Sequence, residues 1–332
     1  MWISLPINQQ EQVLQQVSTA TGYPTYAIEK DWWVCMVLRA VFQTRYADSI
    51  IFKGGTSLSK GYQLIDRFSE DIDLIIDRHL LGFDVLDSKT KIKKLRKASG
   101  GFIVNAFREE LMSQLDALGI NKELYEIHYN EHVDDTSDPN SLEIYYRSVT
   151  THTNDYIQPR VLLEMGARSL TEPSEKRAIV SFIDEQFKSL PFAQQAFDVQ
   201  VVLPARTYIE KILLLHEEFS KPVEKIRTER LTRHLYDLEK LMDTSHGKLA
   251  VTNDELFKAI VAHRQSVTPL RGLDYSNHVK GKLSILPPES ILKSWEQDYK
   301  TMQDNMIVGE SLTWTVLLER IKKIEDAFNQ TI

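Results

Sequence analysis

Residues 52–76 read FKGGTSLSKGYQLIDRFSEDIDLII. An apolar run enters a glycine pair at Gly54 and Gly55, and Asp71 and Asp73 then alternate with Ile72, Leu74 and Ile76. SIIFKGG reads as a short strand running into a turn, TSLSKGYQLI as a helix entered through Thr56 or Ser57, and DIDLII as a second strand. Side chains alternate across a strand, so the two aspartates share one face, about 7 Å apart along it, and the aliphatic residues take the other. An ionised carboxylate in such a stretch is costly to desolvate unless it is paired, hydrogen-bonded or metal-bound. Two carboxylates at this spacing can share divalent cations, with water and phosphate oxygens completing the shell. Glycines at the mouth of the preceding strand suit a backbone that approaches phosphates closely. Asp-x-Asp also occurs at solvated strand ends, so the motif alone leaves both readings open.

A third acid lies further along. Glu164 is the only charge in VLLEMG and points away from Val161, Leu163 and Met165. It reads either as a site carboxylate or as an edge-strand residue paired with Arg160 or Arg168. A glycine pair, two alternating aspartates and a later strand-borne acid form the pattern of polymerase-β-like nucleotidyltransferases.

Around these segments, residues 8–45 look helical, with Ile28, Trp32, Cys35, Leu38 and Val41 at helical spacing, and residues 88–118 look helical with an interruption at Gly100 and Gly101. LYEIHYN, LEIYYRSV and RVLLEMGAR are strand candidates, with HVDDTSDPNS as a polar turn between the first two. From about Leu203 onward RTYIEKILLLHEEF, RHLYDLEKLM, DELFKAIVAHRQS, ILKSWEQDYKTM and TWTVLLERIKKIEDAF all read as helices. The expected fold is α+β: a nucleotidyltransferase core over 1–202, with N-terminal helices and a mixed sheet, and a helical domain over 203–332, making a bilobed molecule.

The 332 residues suffice for two domains. A formal net charge of −7 gives no overall basic field, so any polyanion must meet a local patch. The one cysteine, Cys35, sits in the apolar run WWVCMVL as a core residue and excludes an intramolecular disulfide. No apolar run reaches the ~20 residues of a membrane span, and the N-terminal segment does not read as a signal peptide, so a cytoplasmic protein is expected. His-Glu-x-x-His, Cys-x-x-Cys, Gly-x-Ser-x-Gly and Walker patterns are missing from the sequence, which removes the corresponding zinc, hydrolase and P-loop classes.

KGGTSLSKGY followed by RFSEDIDL closely resembles the signature of AbiEii/AbiGii-type nucleotidyltransferase toxins, which include the MenT-type toxins. IEKDWWVCMVL, PARTYIEKILLLHE, RHLYDLEKL and WEQDYKTMQDNMIVGESLTWTVLL are similar to other blocks of that family, in the same order along nearly the whole chain. The gap between Gly55 and Asp71 is slightly longer than in the general polymerase-β-like pattern. The resemblance implies that Asp71 and Asp73 ligate Mg²⁺ or Mn²⁺, with Glu164 helping to activate the attacking hydroxyl. Gly54, Gly55, Thr56 and Ser69 would lie by the NTP, Lys211 would contact its triphosphate, and Asp237 would be the remaining essential acid. In some relatives the serine matching Ser69 is phosphorylated by a cognate antitoxin, which would place a dianion beside the metal carboxylates. The implied reaction moves a nucleotide from an NTP to RNA, in the best-understood relatives the 3′ acceptor end of tRNA. The implied setting is a toxin–antitoxin or phage-defence pair with an antitoxin encoded nearby, and the expected state is a monomer.

Helical spacing places Lys211 beside the apolar stripe of Tyr208, Ile212, Leu215 and Phe219, and places Asp237 off the stripe of Leu235, Leu238, Leu241 and Met242. Without the family pattern each reads as a solvated helix charge. With it, the expected site is a cleft between the lobes. For RNA, KTKIKKLRK at 89–97 holds six basic residues in nine, and Arg227, Arg230 and Arg233 recur at a spacing of three that predicts one helix face. Two other readings stand beside RNA modification: nucleotide transfer to a small-molecule alcohol of the aminoglycoside kind, and a catalytically silent nucleotide-binding module.

Overall fold

The computed structural model describes residues 1–130, 139–150, 156–270 and 272–330. The chain forms two compact units, Met1–Tyr62 with Phe68–Val201, and Gln63–Arg67 with Val202–Ile332. Most of the turn expected at HVDDTSDPNS lies outside the described residues.

The first unit begins with helices α1 (Ile7–Thr21) and α2 (Thr25–Val41), where the sequence suggested one helix over 8–45. Gly22 takes a left-handed conformation with φ of 78°, closing α1, and Pro24 caps α2. Strand β1 (Ile50–Lys53) leads into the short helix α3 (Gly54–Thr56), which runs on as a π-turn over Ser57–Gly61; the helical stretch therefore starts earlier and ends earlier than expected. Strand β2 (Ile72–Ile76) follows. Helices α4 (Lys89–Phe102) and α5 (Arg108–Ala117) are joined by a π-turn at Ile103–Phe107, so Gly100 and Gly101 do not interrupt the run. Strands β3 (Tyr125–Tyr129), β4 (Asn140–Tyr146) and β5 (Arg160–Gly166) fall on the three strand candidates. Strand β6 (Ser174–Ile179), helix α6 (Phe182–Gln186) and strand β7 (Phe197–Val202) went unread in the sequence. The reason for β6 is its place at the edge of the sheet, where most of its SEKRAI side chains stay out of the core and leave no apolar signature.

The seven strands form one sheet in the order β3-β4-β5-β2-β1-β7-β6. It is mixed: β2 runs antiparallel to β1 and parallel to β5, β1 runs parallel to β7, and β4 runs antiparallel to both β3 and β5. Its apolar face, including Ile72, Leu74, Val161, Leu163 and Met165, joins α2 in the core. Every residue of α2 from Ala27 to Leu38 is buried, including the charged Glu29, Lys30 and Asp31. Such all-round burial follows from α1, α5, α6 and β5 all packing on this helix. Trp32 meets Trp2 edge-on at 5.2 Å, and Trp33 stacks on Tyr146 at 5.0 Å.

The second unit carries helices α7 (Pro204–Phe219), α8 (Thr232–Met242), α9 (Ser245–Thr252), α10 (Asp254–Val267), α11 (Leu292–Met306) and α12 (Trp314–Gln330). Its core is set by stripes such as Tyr208, Ile212 and Leu215 on α7 and Leu235, Leu238 and Leu241 on α8. Among the described residues no helix is long and apolar enough to cross a membrane.

Candidate active site

In the first unit, β2 and β5 lie side by side and parallel, with Asp73 opposite Glu164. Asp73 also stands opposite Lys53 of β1, and Glu164 opposite Ser141 of β4. Lys53, Asp73, Glu164 and Ser141 thus form a row across four strands. Asp73 and Glu164 are half-buried, whereas their neighbours Ile72, Leu74, Leu163 and Met165 are fully buried on the other face. Asp71 precedes β2 and is likewise half-buried. The alternation inferred from the sequence is the arrangement observed for Asp73 and Glu164, whereas Asp71, expected on the same strand, lies just before it. Arg160, one candidate partner for Glu164, forms an ion pair with Glu143 at 2.7 Å.

Gly54, the first of the glycine pair, stands directly against Asp73. Gly54 has φ of +81°, and a Cβ there would come within 2.0 Å of Asp73 Oδ2. Only a glycine fits between β1 and the Asp73 carboxylate. The buried Thr56 hydroxyl donates to the Asp71 carbonyl and lies 2.9 Å from the Ser69 hydroxyl. Gly54, Gly55, Thr56, Ser69, Asp71, Asp73 and Glu164 are thus gathered in one part of one unit. The acids and hydroxyls offer hard oxygen donors, which suit Mg²⁺ or Mn²⁺ rather than a soft metal. Among the described residues no three His, Cys, Asp or Glu side chains are grouped as a metal cage. A magnesium site built on one or two carboxylates, with water and phosphate oxygens, requires no such cage.

Lys211 and Asp237 come together in the second unit. Lys211 Nζ lies 2.9 Å from Asp237 Oδ2. Arg67 grips the same carboxylate from Nε and Nη2, at 2.7 and 2.8 Å. Asp237 is fully buried, so the reading of it as a solvated helix charge, which its spacing alone allowed, does not hold. Burial alone would raise its pKa, but Arg67 and then Lys211 hold it well below the usual carboxylate range. Burial lowers the Lys211 ammonium, against the pull of Asp237. His234 Nδ1 sits 3.2 Å from Lys211 Nζ. Burial and the Lys211 charge push that imidazole far below its ordinary value, so it is neutral and accepts from the ammonium. Sequence reasoning missed Arg67 and His234. A signal for His234 was available in its position one helical turn before Asp237, and for Arg67 in its place between the apolar Ile65 and Phe68.

The three arginines do not share a helix face. Helix α8 begins only at Thr232, and Arg230 has φ of 59°, a left-handed conformation that no helix interior contains. Arg227 is paired with Glu218 at 2.8 Å, and the Arg230 amide donates to Asp298 Oδ1 at 2.7 Å. Only Arg233 lies on α8. In contrast, Lys89, Lys91, Lys93, Lys94 and Lys97 are exposed on α4, whose Ile92 and Leu95 are buried.

Among solved structures, MenT4, a nucleotidyltransferase toxin from Mycobacterium tuberculosis H37Rv, is similar at a TM-score of 0.50 and 18% identity, covering 96% of this chain and 90% of that chain. JHP933 from Helicobacter pylori is similar at 0.42 and 16%, covering 89% of each chain. At these identities the MenT4 likeness concerns the fold. No curated protein matches the sequence. The model of the family described as nucleotidyl transferase AbiEii toxin, type IV toxin–antitoxin system, matches residues 37–330. The chain therefore belongs to the AbiEii family of nucleotidyltransferase toxins of type IV toxin–antitoxin systems.

Proposed function

We propose that this nucleotidyltransferase transfers a nucleoside monophosphate from an NTP to an RNA 3′-hydroxyl, with the acceptor end of tRNA as the favoured target, and that it needs a divalent cation. The carrying observation is the register that sets Asp73 opposite Glu164 on adjacent parallel strands, with Gly54 closed against the Asp73 carboxylate. Asp71 and Asp73 would hold Mg²⁺ or Mn²⁺, which when bound neutralises charge on the triphosphate. Gly54, Gly55, Thr56 and Ser69 would receive the nucleotide. Glu164 would accept the proton of the attacking hydroxyl, whose oxygen forms a new bond to the α-phosphorus while the α–β phosphoanhydride breaks and pyrophosphate leaves. In the same reaction we assign Lys211 to the triphosphate as a cation, with Asp237 holding its ammonium in place.

The experiment is transfer of label from each of four α-³²P-NTPs to total bacterial RNA with Mg²⁺, wild type beside Asp71→Asn. Label on tRNA-sized RNA, lost in the folded variant, is the expected result. No label from any NTP, or equal label from the variant, would remove this reading.

A further inference from the structure

The three consecutive charges Glu29, Lys30 and Asp31 on α2 are 0%, 2% and 4% exposed. Successive helix residues point about 100° apart, so each reaches a different segment. Glu29 accepts from the Val149 amide at 2.8 Å and from the Thr150 hydroxyl at 3.0 Å, in the loop after β4. Asp31 pairs with Lys60 at 2.7 Å, at the end of the turn that Gly54 opens, and accepts from the Phe182 amide at 2.8 Å. Lys30 forms a buried ion pair with Glu70 and donates to the Gln158 carbonyl at 2.9 Å.

The targets of Lys30 are specific. Glu70 is the residue before Asp71, and Gln158 lies two residues before β5, the strand that carries Glu164. One ammonium therefore ties down the backbone leading into both acid-bearing strands. Stability is a poor explanation for this arrangement. Desolvating two charges is costly, and an apolar pair of the same volume is often as stable or more so. Resting on the reading of Asp71 and Asp73 as metal ligands, we propose that Lys30 and Glu70 are positioning residues. Their ion pair holds Asp71 at the spacing from Asp73 and Glu164 that divalent-cation binding requires.

The test uses Mn²⁺ binding to the full chain, followed by electron paramagnetic resonance, with thermal melting in EDTA as the control for folding. The double variant Lys30→Met/Glu70→Met keeps volume and removes both charges. It should melt in EDTA no lower than wild type, bind Mn²⁺ about 10- to 100-fold more weakly, and leave the KM for RNA unchanged. Glu70→Gln keeps an acceptor for Lys30 and serves if the double variant does not fold; it should bind Mn²⁺ about 10-fold more weakly. Wild-type Mn²⁺ affinity in whichever variant folds would overturn the proposal. Asp71→Asn separates the two levels. If it binds Mn²⁺ and transfers like wild type, the metal reading itself falls; if it loses both while the Lys30 and Glu70 variants do not, only the positioning role falls.

Discussion

Gly54 is the residue on which the acid cluster closes most tightly. Its φ of +81° disfavours any side chain, and an added Cβ would meet Asp73 Oδ2 at 2.0 Å. Gly54→Ala should therefore displace the carboxylate, cost about 1–3 kcal/mol and remove transfer, as read by melting and by the labelled-NTP assay. Asp237 poses a different problem, a fully buried carboxylate between Arg67 and Lys211. Asp237→Asn leaves two cations without their counter-charge and should cost about 3–5 kcal/mol near pH 7. The pH dependence has a definite sign. The folded-state pKa is depressed, so the carboxylate's contribution is full above the unfolded value of about 3.9 and is lost as pH falls through the folded value. The stability gap between wild type and Asp237→Asn, measured by denaturant titration, should accordingly narrow below about pH 4. The face of Asp73, away from Ile72 and Leu74, was legible from period two alone. The burial of Asp237 was not, because Arg67, the residue that most strongly offsets its desolvation, lies 170 positions away in sequence.

The segment after α7 shows how an element ends and where the sequence misled. Spacing of three among Arg227, Arg230 and Arg233 suggested a helix face, yet Glu218 near the end of α7 captures Arg227 through its amide and guanidinium, at 2.8 Å in both cases. The chain turns there instead of coiling. Burial opposes the Glu218 charge, but hydrogen bonds from Arg227 and Lys221 bring its pKa down to about 2. A depressed folded value means that this stabilisation is complete above the unfolded pKa of about 4.3 and decays as pH drops towards 2. Arg227 is largely exposed, so solvent screening limits the loss from Arg227→Ala to about 1 kcal/mol at neutral pH. That loss should shrink as pH falls from about 4 towards 2, which melting at a series of pH values would show; equal losses at both ends would contradict the pairing. Helix α2 failed to read as buried for a related reason. Its apolar spacing was plain, but Glu29, Lys30 and Asp31 disguised a helix enclosed on all sides, because their partners come from distant loops.

Under the proposed reading of RNA as the acceptor, a chain of net charge −7 would have to meet its phosphates through local charge. With Arg227 engaged by Glu218 and Arg230 outside any helix, the exposed lysines of α4 are the stronger candidate for binding phosphates. Lys89, Lys94 and Lys97 replaced together by Glu should weaken RNA association and lower the slope of log affinity against log salt, by about 0.7–0.9 for each phosphate no longer neutralised. An unchanged slope would leave that face as solvated charge only. What the sequence determined by itself was whatever depends on local period and residue chemistry: strand, glycine turn and acid-bearing strand at 50–76, the inward and outward faces of VLLEMG, and the change to helices near Leu203. Those features also carried the family likeness. The tertiary structure alone decided the pairing of distant segments. It set β5 beside β2 so that Glu164 meets Asp73, put the polar β6 at a sheet edge, and joined Arg67 to Asp237. The physical reason is that backbone sterics fix a period of two or 3.6 within a few residues, whereas strand order and the partners of buried charges follow from how the whole chain packs.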